Sequence, residues 1–199
     1  MKKQNAHLAL LDVGAGSGTI SVTLAKAIPD GHVTAIDLNP SILPRARAIA
    51  EMSRTKNIDF QEGDAYKLPS DDGTFDITLC HQMLTHLKAP WDALREMLRV
   101  TKEGGIVAAR EGDLETQCVW PESPGLVHFH KLVVSMMTMA GGTSKGGRQL
   151  LFWALRAGVQ RDQIKVSYST WSYSTPGDKA IWGKLAIILD CSNLIASWY

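Results

Sequence analysis

The amino-acid sequence predicts an α/β domain in which a doubly wound, mostly parallel sheet is covered by helices on both faces. Three observations carry this prediction. Short apolar and β-branched runs alternate with stretches of helical spacing, the pattern of strands buried on both faces. A glycine cluster, Gly14, Gly16 and Gly18, stands where the first run hands over to the first helical stretch, as a tight strand-to-helix turn requires. An acid, Asp37, closes the second run.

Taken in order, Leu8-Ala9-Leu10-Leu11 is the first strand, ended by Asp12-Val13-Gly14. Thr19 to Ile28 then carries Ile20, Val22, Leu24, Ala25 and Ile28 before the stop Pro29-Asp30-Gly31, which reads as a helix. His32 to Asp37 is the second strand, and Pro40 to Arg54 places Ile42, Leu43, Ala46, Ile49 and Ala50 at helical spacing. Ile58 to Glu62 alternates as a third strand, and Phe75 to Cys80 is a fourth after the turn Ser70-Asp71-Asp72-Gly73. Trp91 to Val100 is helical, stopped by Gly104-Gly105, and Ile106 to Arg110 is the fifth strand. Beyond it, Val133 to Met139 is an apolar helix face, Gly141 to Gly147 a loop expected to be flexible, and Arg148 to Ala157 a helix. Ile164 to Tyr173 reads as a further strand and Pro176 to Tyr199 as mostly helical.

Composition narrows the function classes. With 21 basic against 20 acidic side chains the net charge is +1, which gives no general field for phosphate backbones or acidic lipid, so neither nucleic acid nor membrane is an expected partner. No apolar run approaches the ~18 residues of a membrane span, and the run after the basic N-terminus is too short for a signal peptide. Cys80, Cys118 and Cys191 lie far apart, so they form neither a disulfide framework nor a zinc site and are expected as buried small hydrophobes. A soluble protein of the cytoplasm is the expectation.

The glycine loop and Asp37 together predict a site for a ribose-bearing cofactor. Glycines let a ligand approach the turn without Cβ collisions, and a carboxylate at the end of the second strand accepts hydrogen bonds from both ribose hydroxyls. The competing reading is a turn needed only for packing, with Asp37 capping the next helix. The third glycine of a dinucleotide fingerprint is displaced, with Thr19 in its place, which weighs against a nicotinamide cofactor. No phosphate-binding loop of the G-x-x-x-x-G-K-[ST] type occurs. Asp64 and the Ala65 backbone, past the third strand, can read an adenine edge.

These residues resemble the class I S-adenosylmethionine-dependent methyltransferases, in particular the type 11 small-molecule group that includes ubiquinone and menaquinone biosynthesis enzymes. The resemblance covers roughly residues 8–112 and rests on Leu11 to Gly18, Ala35-Ile36-Asp37-Leu38-Asn39-Pro40, Glu62-Gly63-Asp64-Ala65, and Phe75-Asp76-Ile77 followed by Leu94 to Gly105. It implies a Rossmann-like fold, S-adenosyl-L-methionine as cofactor and methyl transfer to a small organic molecule. By the same resemblance, Asp12 with Gly14, Ala15, Gly16 and Gly18 holds the methionine part, Asp37 with Leu38 the ribose, and Asp64 with Ala65 the adenine. His81 and Gln82 match the position facing the sulfonium and the acceptor. His81 and His86 are the candidate general bases, since histidine titrates near neutrality.

Residues 1–199 read as one domain, with 8–112 as the cofactor core and 113–199 as the acceptor side and C-terminal segment. Glu111 and Asp113, after the fifth strand, are candidates to orient an acceptor, or are simply solvated loop acids. Trp120, His128, His130, Trp153 and Trp171 either line the acceptor pocket or pack in the core. Compared with the family, the lid before the first strand and a last sheet strand are missing, so a chain shortened at both ends, with self-association through an exposed sheet edge, is expected. Three readings compete: an active methyltransferase, a truncated cofactor-binding pseudoenzyme, and a NAD-dependent oxidoreductase.

Overall fold

Five strands, Ala9–Val13 (β1), His32–Asp37 (β2), Ile58–Glu62 (β3), Phe75–His81 (β4) and Thr101–Arg110 (β5), pair in parallel in the order β3-β2-β1-β4-β5. Their helices are Thr19–Ala27 (α1), Leu43–Met52 (α2), Pro90–Val100 (α3), Pro124–Met139 (α4) and Gly146–Ala157 (α5). The computed structural model describes residues 7–178 and residue 180. The chain divides into two units, Met1–Ile164 and Lys165–Tyr199, and all of these elements belong to the first. Among the described residues no helix is long and apolar enough to cross a membrane.

Alternation along the strands builds two cores, because successive side chains of a strand point to opposite faces of the sheet. Leu11 and Val13 pack with Ile36, Met97, Val100 and Trp153, under α3 and α5. Leu10, one residue before Leu11 and so on the opposite face, packs with Val22, Val33, Ala35, Ala46 and Phe60, under α1 and α2. Pro90 opens α3, where a missing N–H costs nothing, and Ala93, Leu94, Met97 and Val100 form its buried stripe.

Three expectations need correction. The fifth strand begins at Thr101 rather than Ile106, so Gly104 and Gly105 do not stop a helix. They sit in an irregular stretch where the register jumps from Phe75 opposite Thr101 to Ile77 opposite Ile106. Residues 164–174 form no strand, and Val166 and Tyr168 are exposed, since an alternating pattern becomes a strand only when its backbone finds a partner. The glycine run 141–147 is packed rather than loose. The Thr143 N–H donates to the Thr85 carbonyl at 2.8 Å, buried Ser144 donates to Glu115 at 2.9 Å, and Gly146 already belongs to α5. The helix expected over Pro176 to Tyr199 lies almost wholly outside the described residues, as does Cys191.

Candidate active site

The sheet order reverses between β1 and β4, and in open parallel sheets ligands bind outside the carboxyl ends of the strands at that point. The glycine loop leaves β1 there, and the segment 82–86 leaves β4 beside it. The Gly14 and Ala15 N–H groups both donate to the Ile36 carbonyl, at 2.8 and 2.9 Å, which folds the loop back over β2. Asp37 then crosses to the loop. Its Oδ2 accepts the Gly16 N–H at 2.7 Å and its Oδ1 the Asn39 N–H at 2.9 Å. The cap of the following turn is Asn39, whose side chain accepts the Ser41 N–H, so the capping role considered for Asp37 belongs to its neighbour.

The three glycines differ in what a side chain would meet. A Cβ on Gly18 would stand 2.8 Å from Phe60 and 2.9 Å from Ala46, and one on Gly14 would stand 2.5 Å from Met83 Cγ. Those two are small because protein packs against them. Gly16, at φ 53°, has nothing within 4 Å of its Cβ position. The open space of the loop is therefore at Gly16, beside Asp37. Leu38 is 67% exposed at the same edge. Asp64 uses Oδ1 to accept the Tyr66 N–H at 2.8 Å, while Ala65 packs on the core.

The wall across from the loop is the end of β4. His81 is its last residue, and exposed Gln82 sits at φ 53°, its N–H donating to the Arg110 carbonyl at 2.8 Å. Burial and then the Arg110 charge lower the pKa of His81, and burial lowers that of His86, which ends the single turn Leu84–His86. Both imidazoles are held below their ordinary value of 6.5, which favours the neutral form. Met83, which the sequence reading passed over, lies against Gly14. A single apolar residue in a loop carries no signal that it covers a glycine so far back in the chain.

Two acids depart from the solvated reading. Glu111 has an enclosed Oε2 without a hydrogen-bond partner, and burial raises its carboxyl to about 7 against the pull of the Thr85, Leu84 and Met83 N–H groups. Asp113 makes a two-point ion pair with Arg148 of α5. Asp12 lies under the loop at 2% exposure, accepting the Ser21 hydroxyl at 2.6 Å. Burial raises it from 3.8 to about 6, with Ser21 opposing and the Asp37 charge adding.

A carboxyl whose folded pKa lies above its unfolded one stabilises the fold below the unfolded value and loses that contribution as pH rises through the folded value. Wild-type protein is thus expected to lose stability relative to Asp12→Asn between about pH 4 and pH 7, since the amide stays neutral and keeps an oxygen for Ser21. Thermal melts of both proteins across this range check it. Parallel curves would mean that Asp12 titrates alike in the folded and unfolded chain.

Elsewhere, Trp153 is 4% exposed and belongs to the core, whereas Trp120 is 90% exposed and Trp171 and His128 are exposed too. His130 holds the Leu114 carbonyl at 2.6 Å. It borders a separate hollow of about 410 Å³ on α4, with Glu115, Lys131, Val134 and Ser135. Cys80 is buried as expected, but Cys118 is exposed.

A parallel sheet with this strand order, a glycine loop after β1 and an acid after β2 tied to it define a Rossmann-like class I methyltransferase fold. The chain belongs to the methyltransferase-domain family, whose profile, described as "Methyltransferase domain", matches residues 4–148. An uncharacterized methyltransferase of Schizosaccharomyces pombe is 37% identical over 174 residues, covering 83% of this chain and 61% of that protein. The ubiquinone/menaquinone biosynthesis C-methyltransferase of Roseobacter denitrificans is 38% identical over 103 residues, or 51% of this chain and 41% of that enzyme. Among solved structures, a SAM dependent methyltransferase from Aquifex aeolicus matches with TM-score 0.60 at 21% identity, over 79% of this chain and 75% of that one, a likeness of fold. The family read from the motifs is borne out. This chain spans about three fifths of the length of the fission-yeast relative.

Proposed function

We propose that this domain binds S-adenosylmethionine across the carboxyl ends of β1 and β2 and directs its methyl group to a small organic acceptor. The observation that carries this reading is Asp37, which holds the glycine loop through Gly16, the glycine among Gly14, Gly16 and Gly18 that faces open space. A carboxylate has about four acceptor positions. The Gly16 and Asn39 N–H groups take two, leaving the others for the ribose hydroxyls. Leu38 offers an apolar surface next to them, the free Oδ2 of Asp64 and the Ala65 backbone suit the adenine edge, and the loop from Gly14 to Gly18 suits the methionine part, with Asp12 bracing it from below through Ser21. Names of relatives agree with the reading, including one enzyme that methylates carbon in quinone biosynthesis.

The bound cofactor would supply a methyl group already activated on a sulfonium sulfur, so the protein's work is to orient the acceptor and exclude water. Gln82 and His81 line the β4 side of the crevice. A neutral imidazole at His81 or His86 accepts a proton from an acceptor hydroxyl or amine, and burial, joined at His81 by the Arg110 charge, favours that form at both.

Calorimetric titration with S-adenosylhomocysteine tests the cofactor assignment. Loss of the Asp37 carboxylate leaves buried hydroxyls unpaired, a cost of about 1–3 kcal/mol, so Asp37→Ala is expected to bind roughly ten- to a hundredfold more weakly. Unchanged affinity would remove Asp37 from the ribose. Incubation with labelled S-adenosylmethionine and a metabolite extract then identifies the acceptor as the labelled product.

A further inference from the structure

We propose that Glu111 is a positioning residue for the cofactor site, acting through the backbone of residues 83–85 and the Met83 side chain that rests on Gly14. The inference builds on the cofactor reading above, because it assigns Glu111 a role toward the same glycine loop.

Four layers stack in one direction. The Gly14 turn is covered by Met83, whose Cγ stands 2.5 Å from where a Gly14 Cβ would be. The backbone beneath Met83 points its donors at Glu111. Thr85 N–H reaches Oε1 at 3.3 Å, and the Leu84 and Met83 N–H groups are also directed at the carboxyl. The amino end of α5 closes the stack, since a Cβ on Gly146 would stand 2.9 Å from Thr85 Oγ1 and 3.3 Å from Glu111 Cβ. Glycine is what lets the helix sit this close. Glu111 thereby couples the segment that leaves β4 to the end of β5 through a carboxyl.

Two effects oppose each other at this carboxyl. The N–H groups favour the ionised form, and the enclosed, unpartnered Oε2 favours the protonated form. As the proton leaves, the added charge draws the 83–85 N–H groups inward and seats Met83 more firmly on the loop. Of the neighbouring acids, Asp12 under the loop is also raised, to about 6, and Glu111→Gln, which leaves Asp12 in place, separates the two. His86 on the adjoining turn is held below 6.5 by burial. Cys80 on β4 is held well above 9 by burial and by the charges of Glu111 and Asp12. Asp113 is ion-paired to Arg148 of α5, and Arg110 ends β5 just before Glu111.

Two measurements on the whole chain test the proposal, one of them without any cofactor. Amide hydrogen exchange of the ligand-free protein reads the grip directly. Protection factors at Met83, Leu84 and Thr85 are expected to rise about tenfold from near pH 6 to near pH 8, the factor that one pKa unit carries. In Glu111→Gln, which keeps an oxygen for Thr85, they stay flat. Titration with S-adenosylhomocysteine over the same range is expected to show affinity rising several-fold in wild type and not in Glu111→Gln. Met83→Ala should keep the rise in protection and lose the rise in affinity. If Glu111→Gln follows either wild-type profile, or the wild-type protection factors do not change with pH, the positioning role is overturned. Failure of the wild type to bind the probe at any pH would instead overturn the cofactor reading, and the exchange data alone would then decide Glu111.

Discussion

Gly16→Val is expected to lose all measurable binding of S-adenosylhomocysteine while still folding cooperatively. The valine Cβ would enter space where no protein atom lies within 4 Å, so the fold loses only the backbone strain of a branched residue at φ 53°, about 1–2 kcal/mol. A ligand seated on the loop would meet that side chain at full van der Waals cost. Gly18→Val supplies the contrast. Its Cβ would come within 2.8 Å of Phe60 and 2.9 Å of Ala46, in the core between α2 and β3, and overpacking there adds about 1–3 kcal/mol to the same strain. Circular dichroism melts with calorimetric titration separate the two. Binding by Gly16→Val as tight as wild type would show that the open space is not where the cofactor lies, and unfolding of both variants alike would make the whole loop a packing device.

The second large effect is on stability. Trp153→Ala is expected to cost about 3–5 kcal/mol, which lowers the melting temperature by roughly 6–20 °C in a domain of this size. Trp153 lies in the core cluster with Leu11, Met97 and Val100. Its helix, α5, is bound to the rest by Asp113–Arg148 and by Arg156, whose guanidinium stands 3.7 Å over the Trp91 ring. Thermal or urea unfolding of the variant measures the loss. A change under about 1 kcal/mol would mean that α5 is a detachable cover, and the packed state of the glycine run before it would need another explanation.

Much of the fold was legible because its signals are local. The five strands are legible from apolar or alternating runs and the first two helices from the spacing of apolar residues, since these patterns repeat within one element. Asp37 and the glycine loop were legible for a related reason. A strand-to-helix turn and an acid at a strand end are short motifs whose chemistry depends on residues close in sequence. The segment at 164–173 failed the same test, because an alternating pattern names a face and says nothing of whether a neighbouring strand exists.

What the sequence by itself determined is the order of the elements, the family, and the set of residues from which a ribose site can be built. The tertiary structure alone decided what surrounds each of them. It separated Gly16, whose Cβ position faces open space, from Gly14 and Gly18, closed by Met83 and Phe60. Asp37 it tied through one oxygen to the loop, and Glu111, read from the sequence as an acceptor-orienting or a solvated acid, it enclosed beneath α5 with one oxygen unpartnered. Each of these rests on a contact between residues far apart in the chain. Burial, and with it the cost of a charge or the room for a side chain, is set by whatever the fold brings to cover a group, and no local pattern of residues carries that information.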